Sequence, residues 1–544
     1  MSDGHGNVNA PSGGTLTLDR PRLDPVISRT LNPLRTGLAS DRNPQACAMV
    51  IFGVSGDLTS RKLMPALYDL YVSVPLPPGF SIVGISRRSW SDDDFRNEMR
   101  EAVREFATRP FTDETWESFA RGLFYVSGNF DDPAIYDQLR QRLETVDAER
   151  GMSGNRLFYL ATPPSFYEAI SAGLGNAGLV KRQEIYSDPR ANGWNRIVIE
   201  KPFGHDLSSA QHLNAAINSV FAEQQVYRID HYLGKETVQN VLAFRFANIL
   251  FEPVWNRHYV DQIQITVAES LGIENRATYY EEAGALRDMI QSHMLQLLSV
   301  VAMEPPAFFN GDALRDEKVK VLRSVVPLGG DGIANQVVRG QYGHGYVAGS
   351  EVVGYRDEDG VSPDSKTETF VALKLEIDNW RWNGVPFYLR TGKRLPRRVT
   401  EIAIQFKSVP HLMFKLTEGQ TLPPNVLTMR IQPDEGISLR VAAKVPGAGT
   451  KLQPVQMDFD YGASFGQAGP DAYVRLLLDA MLGDPTLFAR DDEIDTAWGL
   501  MQPIIDSWAD SPVTLQLPTY EAGNWGPVEA EHLMAQDRRT WRRP

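Results

Sequence analysis

The sequence has a single cysteine, Cys47, among its 544 residues, so it cannot form an intramolecular disulfide. Its nine histidines are scattered, and none stands with the cysteine at the spacing of a zinc site. We therefore expect no bound metal. Such low cysteine usage is typical of proteins from a reducing compartment, and we expect a cytoplasmic protein.

Long apolar runs and an excess of positive charge are also missing. No run approaches the roughly 18 apolar residues that span a bilayer, and the N-terminus lacks the charged-then-apolar pattern of a secretory signal. Acidic residues outnumber basic ones by 68 to 55, which gives a net charge of −13. Because phosphate backbones are bound by basic stripes, this balance argues against a nucleic-acid partner. An anionic ligand would have to meet a local basic cluster.

The chain falls into three segments by composition and periodicity. Residues 1–45 are rich in Gly, Pro, Ser and Asn, and we expect a disordered or loosely packed extension. Residues 46–230 alternate short apolar strands with amphipathic helices, which predicts an α/β domain with a doubly wound, Rossmann-like parallel sheet. Residues 231–544 contain long strands of alternating polarity, and we expect an α+β domain with a large, mostly antiparallel sheet.

A glycine-containing turn, GVSGDL, follows the first predicted strand and opens the first predicted helix, from Gly53 to Leu58. Glycines there let the backbone approach a pyrophosphate, which the helix N-terminus favours electrostatically. Thr59 stands where a third glycine is expected, and such turns also occur for steric reasons alone. The next strand ends in Arg87 and Arg88 rather than in an acid. This favours NADP over NAD, although an exposed arginine pair at a strand end is also common.

Two further segments carry basic residues where such sheets bind ligands. Lys201 closes the last parallel strand in the sequence IEKPFG, where an ordinary turn lysine is the alternative interpretation. In RIDHYLGKE we expect a helix with Asp230 as its N-cap. His231 and Lys235 would then share one face above the positive helix end, which suits a phosphate monoester. The alternative is a solvated surface turn.

His293 lies in the predicted helix LRDMIQSHMLQ, on the same face as Met289, Ile290 and Leu297. A lone histidine on an apolar face is usually a core residue. A catalytic role would require a carboxylate partner that orients its ring.

Six segments of the sequence occur together in one known family. They are GVSGDLTSRKL, EKPFG, RIDHYLGKE, ALRDMIQSHMLQ, VPFYLRTGKRL and RIQPDE, and their order and approximate spacing resemble those of glucose-6-phosphate dehydrogenases. The resemblance runs from about residue 46 to about residue 510. RIDHYLGKE is highly specific, whereas EKP also ends a Rossmann strand in proteins similar to glucose–fructose oxidoreductase.

The resemblance implies roles for individual residues. His293 matches the base that takes the proton from the C1 hydroxyl of the sugar, and Asp230 matches the carboxylate that orients this base. The residues that match the substrate contacts are Lys201, His231, Tyr232, Lys235, Glu269, Asp288, Lys393 and Gln432. The residues that match the dinucleotide site are Gly53, Ser55, Gly56, Asp57, Leu58, Arg87 and Lys201, with Lys62 near both ligands.

The resemblance further implies an enzyme that oxidises D-glucose 6-phosphate to 6-phospho-D-glucono-1,5-lactone with NADP, the first step of the oxidative pentose phosphate pathway. It also implies a homodimer or homotetramer. Two alternatives are an enzyme similar to glucose–fructose oxidoreductase that acts on a non-phosphorylated sugar, and a catalytically silent regulatory paralogue. The RIDHYLGKE segment counts against the first, and the intact Asp230 and His293 count against the second.

Overall fold

The computed structural model describes residues 43–183, 193–414, 422–447, 451–465, 471–510 and 517–544. The extension predicted for residues 1–45 lies almost entirely outside these ranges. The strands are β1 (Ala48–Phe52), β2 (Ser81–Ser86), β3 (Leu123–Ser127), β4 (Arg156–Leu160), β5 (Asn195–Ile199), β6 (Val226–Ile229), β7 (Val260–Ala268), β8 (Val337–Val347), β9 (Ser350–Val352), β10 (Phe370–Glu376), β11 (Pro386–Gly392), β12 (Val399–Phe406), β13 (Val426–Gln432), β14 (Gly436–Lys444), β15 (Leu452–Asp460), β16 (Phe488–Ala489) and β17 (Thr519–Ala522).

The α-helices connect these strands and cover the sheets. They are α1 (Met64–Ser73), α2 (Asp92–Phe106), α3 (Asp113–Ala120), α4 (Pro133–Arg150), α5 (Tyr167–Asn176), α6 (Leu207–Val220), α7 (Glu236–Phe246), α8 (Ala277–Ala285), α9 (Leu295–Ala302), α10 (Gly311–Ser324), α11 (Asp331–Gln336), α12 (Tyr461–Phe465), α13 (Ala472–Leu482), α14 (Asp491–Ala509) and α15 (Val528–Ala535). Two π-helical segments, Thr59–Leu63 and Leu286–Met294, lead into α1 and α9.

The first sheet has the order β16-β6-β5-β4-β1-β2-β3. Strands β1 to β6 are parallel, and β1, β2, β4 and β5 are buried along their whole length, as expected for a sheet covered by helices on both faces. The predicted doubly wound parallel sheet is therefore confirmed. The direction of strand order changes between β1 and β4, which leaves a crevice at the carboxyl ends of these strands.

The second sheet has the order β15-β14-β13-β12-β7-β11-β10-β8-β17, with β9 paired to β8. Its neighbours are antiparallel except for the pairs β7 with β11 and β8 with β17. The predicted large, mostly antiparallel sheet is thus also confirmed. The π-helical segment Leu286–Met294 packs against this sheet, and α9, which follows it, packs against α7 and α10 with all eight of its residues buried.

The chain returns to the first sheet after completing most of the second. Strand β16 pairs antiparallel with β6, so Phe488 lies opposite Ile229. Helix α14 follows, and the indole N–H of Trp498 donates to the carbonyl oxygen of Phe203 over 2.9 Å. Helix α13 packs against α1 and helix α14 against α6, so both join the layers around the first sheet although they come late in the sequence.

Candidate active site

The carboxyl ends of the parallel strands carry several residues that the sequence patterns indicated. Gly53 follows β1, Arg87 follows β2, Lys201 follows β5 and Asp230 follows β6. Because β4 lies between β1 and β5, these residues form two groups on one edge of the sheet, one around β1 and β2 and one around β5 and β6. This edge is where an open parallel sheet binds its ligands.

The turn after β1 brings its backbone close to the neighbouring chain. Gly53 has a φ of +83°, and a Cβ atom on it would lie 2.6 Å from the carbonyl oxygen of Ala161, so only glycine fits. The Gly56 N–H donates to the Gly53 carbonyl over 3.0 Å, and Asp57 and Leu58 then enter the helical segment. A bare backbone at a helix start fits the pyrophosphate of a dinucleotide.

Polar side chains of this turn and the next strand lie toward solvent. Asp57 and Arg87 are exposed, whereas Ser55 is partly buried. Asp57 is paired with Arg61, one helical turn later, over 2.7 Å. The Arg87 side chain is therefore accessible to solvent at the sheet edge, where it could contact an extended dinucleotide.

The segment that carries His293 begins directly after a sharp break near the end of α8. Gly284 has a φ of +60°, and a Cβ atom there would lie 2.4 Å from the Glu368 carboxylate. That carboxylate accepts a hydrogen bond from the Leu286 N–H over 2.9 Å and so caps the start of the new segment. The segment Leu286–Met294 is π-helical, a geometry that occurs often at functional sites.

His293 is buried, with a polar partner at each ring nitrogen. Nδ1 lies 2.6 Å from Oδ1 of Asp230, and Nε2 lies 3.2 Å from Nζ of Lys201. Because an ammonium group only donates, Nε2 is the unprotonated nitrogen and Nδ1 donates to Asp230. The ring stacks on Tyr232 with centroids 4.4 Å apart. The carboxylate partner that a catalytic histidine requires is therefore present.

The turn after β6 differs from the predicted helix. Helix α7 begins at Glu236, with Lys235 before it, so Asp230 is not an N-cap. Oδ1 of Asp230 instead accepts the Tyr232 N–H over 2.9 Å together with the proton of His293 Nδ1. The expectation that His231 and Lys235 lie one helical turn apart was wrong, because the tertiary bond to His293 holds the carboxylate inside and a chain of turns follows it.

Burial and neighbouring charges set the ionisation of this cluster. Burial lowers the pKa of His293, and Lys201 adds to this effect although Asp230 opposes it. Burial by itself would raise the pKa of Asp230, but the positive charge of His293 when its ring is protonated and the hydrogen bond from that ring hold this pKa well below its usual value. Asp288 raises the pKa of Lys201 against the effect of burial. At neutral pH the histidine is thus a neutral base between an anion and a cation.

Lys201 connects this base to a second carboxylate. Its Nζ donates to Oδ1 of Asp288 over 2.9 Å and to the main-chain oxygen of the same residue over 2.5 Å. Lys393 is buried, donates to Oε2 of Glu269 over 2.7 Å, and contributes to the lowered pKa of Asp288. These four charged groups form alternating pairs beside His293, which suits the binding of sugar hydroxyls.

A cavity of about 470 Å³ opens beside His231. The basic side chains on its wall are Lys62, Lys235 and Arg398. Lys235 donates to Oε1 of Gln432, and an Arg398 guanidinium nitrogen lies 3.4 Å from the same oxygen. Burial and the charge of Arg398 lower the pKa of Lys235 to about 8. The wall also carries Glu236, Glu435 and Asp471, and Asp471 pairs with Lys62 over 3.0 Å. Lys235 and Arg398, which converge on Gln432, are therefore the cations placed to meet a small anion.

Two family models match this chain. Residues 50–240 match the glucose-6-phosphate dehydrogenase NAD binding domain, and residues 242–542 match the glucose-6-phosphate dehydrogenase C-terminal domain. The chain belongs to the glucose-6-phosphate dehydrogenase family. The first match contains most of β1 and the whole of β2 to β6, the second contains every strand of the second sheet together with β16, and both agree with the resemblance found in the sequence segments.

Members of the glucose-6-phosphate dehydrogenase family resemble the chain over nearly its whole length. Glucose-6-phosphate 1-dehydrogenase 2 of Mycobacterium tuberculosis (strain H37Rv) is 50% identical over 501 residues, which are 92% of this chain and 95% of that protein. The Bacillus subtilis (strain 168) glucose-6-phosphate 1-dehydrogenase is 43% identical over 504 residues, with 93% and 99% covered. A solved glucose-6-phosphate dehydrogenase in complex with its substrate glucose-6-phosphate has a TM-score of 0.82, 36% identity, and 92% and 100% coverage.

Several residues of the cluster escaped prediction from the sequence. Arg398 follows Lys393 in the run RTGKRLPRR, so the density of basic residues was a usable signal. Tyr279 donates to Oδ1 of Asp288 over 3.0 Å, and Tyr473 lines the cavity. Nothing in the sequence marks either tyrosine, or Glu368, as part of a site, because their positions depend on long-range packing.

One acid and two histidines of the cluster could also face a cation. Asp230, His231 and His293 each offer a ligand atom, and these atoms lie within 4.8 Å of one another. Both His293 nitrogens already have partners, however, and the Lys201 ammonium would repel a metal ion.

In the described ranges, no helix is both long enough and apolar enough to cross a membrane.

Proposed function

We propose that this chain oxidises D-glucose 6-phosphate at C1 to 6-phospho-D-glucono-1,5-lactone with NADP as the hydride acceptor. The observation that carries the proposal is the buried His293, bonded to Asp230 through Nδ1 and beside Lys201 through Nε2. It lies at the carboxyl edge of the parallel sheet, next to a cavity where Lys235 and Arg398 converge on Gln432. A base, a nucleotide turn and an anion site thus converge.

In this proposal Nε2 of His293 takes the proton from the C1 hydroxyl. Asp230 keeps Nδ1 protonated and balances the imidazolium that forms, which is the general-base arrangement of a histidine and a carboxylate. Bound NADP supplies the nicotinamide ring that accepts the hydride from C1. Lys201 holds the reacting end of the sugar beside Nε2, because its ammonium is fixed by Asp288.

In this proposal the phosphate binds in the cavity, where His231 and Lys235 contact it together with Arg398. Tyr232 packs behind Lys235, with Nζ 3.9 Å from its ring centroid, and positions that ammonium. Asp288, Glu269 and Lys393 bind the sugar hydroxyls, with Gln432 at the boundary between the two groups. Binding the remote phosphate orients C1 toward the base, and alignment of this kind contributes much of an enzyme's rate.

The dinucleotide is bound by the turn after β1, where Gly53 and Gly56 let the backbone approach it and Ser55, Asp57 and Leu58 offer backbone donors. Arg87 pairs with the 2′-phosphate of NADP. Replacing Arg87 by Ala should therefore raise KM for NADP by ~10-fold or more with little change for NAD. Arg88→Ala is the matched control, since Arg88 stacks on Trp90 with 5.1 Å between the guanidinium carbon and the ring centroid.

We also propose that the chain forms a homodimer, or a homotetramer built from such dimers. Val455, Met457 and Phe459 alternate along β15, the edge strand of the second sheet, and all three are exposed. An exposed apolar edge strand favours association.

A cytoplasmic location and the absence of a nucleic-acid partner are further proposals, supported by the single cysteine and the negative net charge.

The enzymatic proposal is tested by the initial rate of NADP reduction with D-glucose 6-phosphate and with D-glucose. We expect a preference of ~10² or more in kcat/KM for the phosphorylated sugar, because the cavity cations bind only that substrate. Equal rates would refute the role of the cavity in binding the phosphate. They would favour the alternative of an enzyme that acts on a non-phosphorylated sugar. No rate with either sugar would favour the silent paralogue.

A further inference from the structure

Glu200 stands directly before Lys201 and is held by three tyrosines from three different elements. The hydroxyl of Tyr159 on β4 donates to Oε1 of Glu200, and the hydroxyl of Tyr473 on α13 bonds to the same carboxyl group. The hydroxyl of Tyr167 on α5 donates to the main-chain oxygen of Glu200 over 3.1 Å. The peptide that leads into Lys201 is therefore fixed through both its side chain and its backbone.

Strand β5 and its exit hold helix α13 at both ends. Arg196, near the start of β5, donates to the carbonyl oxygens of Ala480 and Met481 over 2.9 and 2.7 Å. Glu200, four residues later, bonds to Tyr473 near the other end of the helix. Four strand residues span about 13 Å and seven helical residues about 11 Å, so the two lengths match. The helix is thus held in register along the strand.

The end of α13 that meets Glu200 also forms a wall of the phosphate cavity. Asp471 caps the helix by accepting the Tyr473 N–H over 2.9 Å, and it pairs with Lys62 over 3.0 Å. All three side chains line the cavity. Tyr473 therefore borders the proposed phosphate site while its hydroxyl reaches the residue next to Lys201.

The ionisation of Glu200 decides how many of these bonds can be made. Burial of the carboxyl raises its pKa to about 7, although bonds from Tyr159 and Tyr473 and the charge of Lys201 oppose this, and Asp230 adds to the rise. An ionised carboxylate accepts from both phenols at once. A neutral carboxyl must donate its own proton, so one of the two phenols has to turn away or reverse its bond.

We propose that Glu200 is a positioning residue, whose ionised carboxylate ties Tyr473 at the phosphate end of the cavity to Lys201 beside His293. The inference rests on the proposed function, since it assigns a part of that reaction. It gives the enzyme a second ionisation, apart from that of His293: both phenols donate to the carboxylate above the pKa of Glu200, and this arrangement is lost as the pH falls through it.

The test measures kcat and KM for glucose 6-phosphate across the pH range in Glu200→Gln, Tyr473→Phe and the double variant. We expect Glu200→Gln to lower kcat/KM by ~10-fold above neutral pH and to remove the acid limb near pH 7, leaving the lower limb set by His293. Tyr473→Phe should also lower kcat/KM, through a higher KM for glucose 6-phosphate. The kcat/KM of the double variant should be no lower than that of Glu200→Gln alone.

Arg196→Met is the matched control, because it releases the far end of the same helix. It should lower the melting temperature and leave the shape of the pH profile unchanged. A Glu200→Gln profile that superimposes on the wild-type one, or strictly additive losses in the double variant, would overturn the proposal. If Glu200→Gln does not fold, Tyr473→Phe decides the question, since an unchanged KM and acid limb in that variant overturn it as well. If the wild-type protein does not oxidise glucose 6-phosphate, the proposed function itself is refuted.

Discussion

The Nδ1 atom of His293 lies 2.6 Å from Oδ1 of Asp230, and both side chains are buried. Asp230 directly follows β6, the last parallel strand of the first sheet, whereas His293 lies on a π-helical segment that packs against the second sheet. The base and the group that orients it therefore come from different halves of the chain. Any change that shifts one half against the other should reach the chemistry through this bond.

His293→Asn should lower kcat by ~10³ or more, because it removes the base and the orientation that the ring provides. KM for glucose 6-phosphate should change little, since the proposed phosphate contacts lie elsewhere. Steady-state kinetics measure both values, and thermal unfolding checks that the variant folds. Activity close to that of the wild type would show that another group takes the proton.

The pH dependence of kcat/KM should report the depressed pKa of His293. Because burial lowers this pKa, the base is neutral at pH 7, and activity is lost as the pH falls through a value below 6.5. Asp230→Asn removes the charge that raises the pKa of His293, so it should move this acid limb to still lower pH while reducing kcat by ~10²-fold or more. A limb that moves upward in this variant would contradict the assignment.

Lys235 should make substrate binding weaker in alkaline solution. Its pKa of about 8 means that the ammonium loses its charge as the pH rises through that value, and KM for glucose 6-phosphate should then increase. Lys235→Ala should raise KM at neutral pH by ~10-fold or more and abolish the alkaline increase. An alkaline rise of KM that persists in this variant would have to come from another group.

The ion pair between Lys318 on α10 and Glu493 on α14 should be sensitive to loss of one partner. Nζ and Oε1 are 2.8 Å apart, and both side chains are only 1% exposed. Glu493→Gln leaves a buried ammonium without its counter-charge and should lower the free energy of unfolding by about 3–5 kcal/mol. Urea denaturation measures this value.

The control for this pair is Glu317→Gln, which breaks the neighbouring pair of Glu317 with Lys320 on the same helix. Lys320 is 63% exposed, and the loss there should stay below about 1 kcal/mol. Equal effects of the two substitutions would mean that burial does not decide the contribution of the inner pair.

Local patterns predicted most of the fold. The short apolar runs between helices became the buried parallel strands, and the long alternating runs became the second sheet. Pro65, which interrupts the first predicted helix in the sequence, lies where the π-helical segment Thr59–Leu63 passes into α1, so the helical stretch continues through the proline. The pairing of β16 with β6 could not be predicted, because it joins two residues to a strand more than 250 positions earlier.

Some residues of the candidate site could be predicted and others could not, because contacts between distant parts of the chain leave no local signal in the sequence. The family resemblance brought His293 and Asp230 together, which periodicity alone could not do. Local capping rules gave the wrong helix start after Asp230, since a tertiary bond outweighs the local preference. Gly284 and Glu368, which set the start of the segment that carries His293, carry no local signal because each depends on the other.

The most direct test of the proposed chemistry is the transfer of deuterium from D-glucose 6-phosphate labelled at C1. Mass spectrometry of the reduced coenzyme should find one deuterium per NADPH formed, because the hydride from C1 passes directly to the nicotinamide ring. Reduced coenzyme without the label, or label released to water, would contradict direct hydride transfer from C1 and with it the account of this site.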